Sequence, residues 1–274
     1  MKSLPTVPLF GMNIHRLTLN EAAGAVLDWA AAPRGATCRY VVTPNVDHAV
    51  MYQENDALRR AYREASLVLA DGAPIVAASR ALGRPLPERV AGSDLAPRLF
   101  DLAKQKDGPL SVYLLGAAPG VAERAAANIE RRWPAVRVAG WYSPPLGFEK
   151  NQAENDRILG LIADAQPDVL LVGLGAPKQE LWVQRFAPLI EAKTALCIGA
   201  TIDFLAGHRR RSPRWLQQAG LEWLHRLASE PRRLAARYGR DAMIFPQLLW
   251  REIRGGFPAH SFAGYTRTDA AHAR

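Results

Sequence analysis

The sequence predicts an α/β protein: a Rossmann-like, doubly wound and mostly parallel sheet followed by a helical, basic C-terminal appendage. Three observations predict it. Short apolar runs without polar alternation recur along the first two-thirds of the chain, as in strands buried on both faces. Longer helical stretches separate them, with short links. Near residue 208 the alternation stops and arginine-rich helical sequence begins.

Six runs read as strands: "CRYVVT" (38–43), "SLVLA" (66–70), "SVYLLG" (111–116), "VRVAG" (136–140), "DVLLVG" (168–173) and "TALCIG" (194–199). The helical stretches are "LNEAAGAVLDWAAA", "NDALRRAYREA", "GSDLAPRLFDLAKQ", "PGVAERAAANIERRW" and "NQAENDRILGLIADA". Thr18, Asn55 and Ser93 stand where N-caps are wanted, because their side chains can accept a first-turn N–H. Beyond the sixth strand, "SPRWLQQAGLEWLHRLASE" reads as one continuous helix opened by Ser212-Pro213, and Pro231 opens a second. The tail "GGFPAHSFAGYTRTDAAHAR" has no periodicity and is expected to be disordered. The expected division is a catalytic α/β domain at 1–207, an arginine-rich helical appendage at 208–254 and the tail at 255–274, with no internal repeats.

The 274 residues are 49% hydrophobic and 22% charged, a globular rather than a disordered balance. Cys38 and Cys197 each lie in an apolar run with no Cys-x-x-Cys, so reduced core thiols and a cytoplasmic setting are expected. No signal peptide is read at the N-terminus. No uncharged apolar run approaches the roughly 18 residues of a spanning helix. Net charge is +9, and residues 208–254 hold eleven arginines, no lysine and four acids, so most of the excess lies in the appendage. Three of the seven tryptophans lie there too. Tryptophans beside arginines on a helix suit an anionic bilayer surface; the alternative is a helix packed on the core with a solvated basic rim.

In open parallel sheets ligands bind at the carboxyl ends of the strands. Thr43, Asn45 and Asp47 follow the first strand, and Asp71-Gly72 the second. Gly116 ends the third. Gly173 and Gly175 lead to Lys178, Gln179 and Glu180 after the fifth, and Thr201 and Asp203 follow the sixth. Glycines let backbone N–H groups approach a phosphate, and helix N-termini favour anions. Each residue also has a plain alternative. Asp71 caps the following helix, Asn45 caps another, and Asp203 caps a short turn. Gln179 and Glu180 are solvated first-turn residues, and Arg89 is a surface arginine.

There is no G-x-x-x-x-G-K-[ST] P-loop, and "GLGAPK" lacks the third glycine of a dinucleotide fingerprint. No Asp-x-Asp triplet occurs, and the six histidines show no zinc spacing, so no metal and no cofactor are expected. A nucleic-acid-binding protein using the basic segment, and a dehydrogenase or methyltransferase, are the rival classes. No nucleic-acid motif supports the first.

"TPNVDH", "LADGAPIV", "RVAGSDL", "GLGAPKQE" with Trp182, "IGATIDFLAG", "RSPRW", "GLEWLHRL" and "EPRR" follow one another in an order that resembles the WecG/TagA/CpsF family of bacterial glycosyltransferases, from about Thr6 to Ile253. The resemblance implies inverting transfer of a hexose or N-acetylhexosamine (N-acetylmannosamine, its uronic acid or glucose) from a UDP-sugar to a polyprenyl-diphosphate-linked saccharide, in cell-surface polysaccharide synthesis. It implies Asp71 as general base and Thr43, Asn45 and Arg89 as active-site residues. Gln179 and its loop would lie near the nucleotide-sugar. It also implies that the appendage closes over the site and docks on the inner face of the cell membrane, with Arg226, Arg233 and Arg237 as the arginines that reach in. Ser212 stands where many members have alanine. An exposed apolar appendage is also expected to favour homo-oligomers away from a membrane. Gly72 reads as the residue that lets the chain turn tightly beside the substrate.

Overall fold

The computed structural model describes residues 4–105, 107–209, 211–213, 215–216 and 220–256. The expected disordered tail lies outside these residues from 257 onward. The chain opens with a hairpin that sequence reasoning missed, β1 (Thr6–Leu9) and β2 (Met12–His15). Phe10 and Gly11 form its two-residue turn with φ of 53° and 81°. Such turns usually carry Asn-Gly or Asp-Gly, and a phenylalanine with positive φ hides the signal. Phe10 is held there by burial, and its ring lies 5.3 Å from that of Phe245.

The elements then alternate: α1 (Leu19–Ala31), β3 (Arg39–Val42), α2 (Val46–Glu54), α3 (Asp56–Glu64), β4 (Leu67–Val68), α4 (Ala73–Ala81) and α5 (Gly92–Leu102). β5 (Leu110–Gly116), α6 (Val121–Arg132), β6 (Val136–Tyr142), α7 (Gln152–Ala165) and β7 (Val169–Gly173) follow. The α/β part closes with α8 (Lys178–Phe186), β8 (Thr194–Cys197) and α9 (Thr201–Leu205). Six strands form one sheet in the order β4-β3-β8-β7-β5-β6, every neighbouring pair parallel. Successive residues along each strand enter opposite cores. Tyr113, Leu115, Leu170 and Val172 face one core, and Val112, Leu114, Val169 and Leu171 the other. Each such side chain contributes about 1.5–3 kcal/mol by leaving water, which is why these runs are apolar throughout.

Thr18 and Asn55 cap α1 and α3 as expected. Ser93 does not cap: α5 begins at Gly92, and its N-cap is Ala91. A side chain at Gly92 would press a Cβ to 3.0 Å from the Ile198 backbone, so close packing of helix on strand sets this start. Both cysteines are buried free thiols, and burial pushes Cys38 up to about 12.

The helix expected from Ser212 through Glu230 is broken. Gly220 adopts φ of 72° in a turn, and α10 spans only Glu222–Ser229. Trp215 therefore does not share one continuous helix with Glu222 and Trp223. Pro231 does open α11 (Pro231–Ile253), at its first turn. Leu234, Asp241, Leu248 and Glu252 form its buried stripe, and α11 packs on α2. Arg84 Nη1 donates to Glu252 Oε1 at 2.6 Å, and the Phe10 N–H donates to Oε2 at 3.3 Å. The end of the appendage is thus tied to the first hairpin. No helix among the described residues is long and apolar enough to cross a membrane.

Candidate active site

β3 runs on to β4 and β5 to β6, towards opposite edges of the sheet. The carboxyl ends of β8 and β7 lie between these diverging connections, where an open sheet leaves a crevice. Three glycines line this edge. A Cβ on Gly116 would meet the Gly173 carbonyl oxygen at 2.4 Å, and one on Gly173 would meet that of Gly199 at 2.9 Å. The ends of β5, β7 and β8 therefore come together as bare backbone.

Asp71 follows β4, and its N–H donates to the Pro44 carbonyl at 2.9 Å. It does not cap α4: the N-cap is Gly72, with no side-chain cap bond. Gly72 has an ordinary extended backbone, φ −107° and ψ 129°, so a tight turn does not require it. Closeness does, since a Cβ there would lie 3.4 Å from Asn45 Cα and 3.3 Å from Ile75 Cγ1.

The Asp71 side chain keeps 28% of its surface, and Arg89 Nη1 lies 3.6 Å from Oδ1. Burial of the carboxyl pushes its pKa up to about 7. Arg89, Arg226 and His48 pull it down, and Glu222 pushes it up. Arg89 is not a plain surface residue. Its Nη1 also reaches Glu222 at 3.2 Å, and its Nη2 donates to Asp94 at 2.8 Å. Arg211 Nη1 takes the other Asp94 oxygen at 2.7 Å. Two arginines thus share one carboxylate beside Asp71.

Asn45 does cap α2. Its Oδ1 accepts the His48 N–H at 3.2 Å and lies 2.9 Å from His48 Nδ1. His48 Nε2 lies 3.3 Å from Glu180 Oε1, which also accepts from Gln179 Nε2 at 2.8 Å. Gln179 Oε1 takes the Gly199 N–H at 3.1 Å. Gln179 and Glu180 are therefore not solvated first-turn residues: they are 3% and 0% exposed. Thr43 is buried and donates to the Cys197 carbonyl at 3.3 Å, joining β3 to β8.

Other expected residues turn elsewhere. Asp47 accepts from Arg240 at 2.8 Å and pairs with Arg237 at 3.4 Å, so it holds the appendage. Thr201 Oγ1 donates to the Ile198 carbonyl at 2.6 Å. Asp203 lies inside α9 rather than capping it and faces Arg209 at 3.8 Å. Lys178 pairs with Glu149 at 3.2 Å. Gly175 has φ of 79° and open space at its Cα. The Arg233 side chain lies outside what the structure describes. Sequence reasoning missed His48, Asp94, Arg211, Glu222 and Arg240. Asn45-x-x-His48 was legible as a capping pair; the others are brought in only by folding. Among the described residues no three His, Cys, Asp or Glu side chains group to hold a metal ion.

Sheet and edge together define a Rossmann-like α/β protein with a carboxylate–arginine site at its strand ends. Residues 7–257 match the model of the glycosyl transferase WecG/TagA/CpsF family, and the chain belongs to that family. It is 31% identical over 194 residues to a Bacillus spizizenii N-acetylglucosaminyldiphosphoundecaprenol N-acetyl-β-D-mannosaminyltransferase, covering 71% of this chain and 72% of the relative. A Staphylococcus aureus (strain MRSA252) protein of the same name is 28% identical over 195 residues, 71% of this chain and 74% of its own length.

Proposed function

We propose that this glycosyltransferase moves an N-acetylhexosamine or hexose from a UDP-sugar to a saccharide on a polyprenyl diphosphate, with inversion and without a metal ion. The similar proteins named for N-acetylmannosamine transfer make that sugar the first donor to test, with N-acetylglucosaminyl-diphosphate-polyprenol as acceptor. The observation that supports the reading is Asp71: a carboxyl titrating near 7, partly open to solvent, beside Arg89 at a strand end. The acceptor hydroxyl attacks the anomeric carbon while Asp71 takes its proton. The bond to the diphosphate breaks opposite, and UDP leaves with the electron pair. Arg89 and Arg226, both close enough to shift the Asp71 titration, are assigned the growing charge, with the bare strand-end backbone.

The appendage is assigned to an anionic membrane surface. Met243, Pro246, Trp250 and Ile253 are exposed along one stripe of α11, and Arg254 stacks 3.8 Å over Trp250. The same helix packs on the core by its other face, which leaves the exposed stripe available for the proposed docking.

The test is a thermal-shift panel of UDP-sugars followed by product analysis on the lipid-linked acceptor. UDP-N-acetylmannosamine is expected to raise the melting temperature and be consumed. A chain stabilised by no UDP-sugar and transferring none to the acceptor rules the proposal out.

A further inference from the structure

We propose that His48 and Glu180 form a buried positioning pair that aligns three strand-end loops for sugar transfer. The inference rests on the function proposed above. An unbroken line of contacts runs from the Asn45 side chain through His48, Glu180 and Gln179 to the Gly199 N–H. Its members follow β3, β7 and β8, which are neighbours in the sheet. The line therefore links the ends of three neighbouring strands.

Burial marks the line as costly. Glu180 is 0% exposed and His48 7%. Apolar side chains of similar volume hold such loops at no charge penalty, whereas a buried acid that loses its partner is strongly destabilising. Geometry also sets the protonation. The oxygen of Asn45 is identified by the backbone N–H it accepts, and it faces His48 Nδ1 at 2.9 Å. Glu180 faces Nε2. Nε2 faces only the Glu180 oxygen, while Nδ1 faces the Asn45 oxygen at 2.9 Å and the Asn45 N–H at 3.5 Å; the proposed pair follows the closer contact, with the ring an imidazolium donating from each nitrogen. The longer 3.5 Å contact from the Asn45 N–H to Nδ1 is given up in that state. Burial by itself lowers the pKa of this imidazole, but Glu180, with Asp47 and Asp71, raises it overall.

Two consequences reach the candidate base. Asn45 is clamped by its oxygen, and its backbone abuts Gly72, the neighbour of Asp71. The imidazolium charge also pulls the Asp71 titration down. Gln179 is thereby a positioning residue too, since both ends of its amide are used inside the protein.

The test compares full-length wild type with His48→Gln, Glu180→Gln and the double variant, which keeps polar groups without a buried charge. Imidazole ¹⁵N NMR near pH 7.5 is expected to show one ring with both nitrogens protonated, absent in His48→Gln and neutral in Glu180→Gln. In the transfer assay, kcat is expected to fall about tenfold or more in each variant, with the donor KM within about threefold. In His48→Gln the acid limb of the pH–rate profile moves upward, a change that loosened packing alone does not produce. A folded double variant with wild-type kcat, or a neutral His48 ring in the wild type, overturns the pair. A wild type that transfers no sugar overturns the proposed function instead, and the NMR result, needing no turnover, still decides the pair.

Discussion

Arg240 donates to Asp47 at 2.8 Å across 193 residues of sequence, tying the first turn of α2 to the last helix of the fold. Arg237 adds a second contact at 3.4 Å. Asp47→Asn removes the charge that both arginines share, at a cost of about 1–2 kcal/mol because the arginines keep solvent access. Limited proteolysis is expected to cut α11 sooner in the variant. Cleavage at the wild-type rate rules out the latch.

The proposed base, Asp71, works only when ionised, and burial pushes its pKa up to about 7. Activity is expected to rise with pH through about 7 and then level. Arg89→Gln removes the nearest cation and shifts the rise to higher pH; Glu222→Gln shifts it lower. Equal shifts in both variants contradict the assignment. The folded carboxyl titrates above its unfolded value, so its effect on stability is most favourable below about pH 4 and is lost as pH climbs to about 7. Asp71→Asn is accordingly expected to gain melting temperature relative to wild type at pH 8 but not at pH 4. Turnover of Asp71→Asn near the wild-type rate at saturating substrates removes Asp71 as the base.

His48 has the opposite linkage. Its folded pKa lies above the ordinary 6.5, so the stability gained from Glu180 is complete below about pH 6.5 and is lost as pH rises through the raised value. Chemical denaturation from pH 6 to 9 is expected to show this decline in wild type and not in Glu180→Gln. Parallel curves mean the pair carries no linked proton.

Glu252→Ala takes away the acceptor for the Phe10 N–H and for Arg84. Leaving a buried donor unmade costs about 1–3 kcal/mol, and the urea midpoint should fall accordingly. An unchanged midpoint shows that the hairpin and α11 are not energetically joined.

Met243 and Trp250 are 67% and 56% exposed, so changing both to serine costs the fold little. Retention on vesicles containing anionic lipid is expected to fall tenfold or more, since each such side chain is worth about 1.5–3 kcal/mol on burial. Undiminished retention excludes this stripe as the docking face.

Six short runs were enough to place all six strands of the parallel sheet within a few residues, because the inner strands are buried on both faces and nearly all apolar, while the edge strand β6 keeps an apolar inner face around the exposed Arg137. The same logic singled out the strand ends as the proposed ligand edge, since polar residues and glycines follow those runs. Asp71 stood out because a carboxylate beside Gly72 ends such a run. The hairpin stayed hidden because Phe10 takes a turn position through burial, which no local preference announces. The break at Gly220 stayed hidden because a helical period continues on both sides of it.

What the sequence determined by itself was the α/β class, the gathering of polar residues and glycines at the strand ends and the basic character of the last segment. These depend on local periodicity and on which side chains tolerate burial. Tertiary structure alone decided which of these polar residues meet one another at the strand ends. Asp47, Thr201 and Asp203 carry the right chemistry but spend it on α11, a backbone carbonyl and Arg209. Glu180 reads as a solvated acid and His48 carries no role until β7 and β3 are set on either side of β8. A charge becomes a partner only when folding brings a second one within reach and removes the water between them.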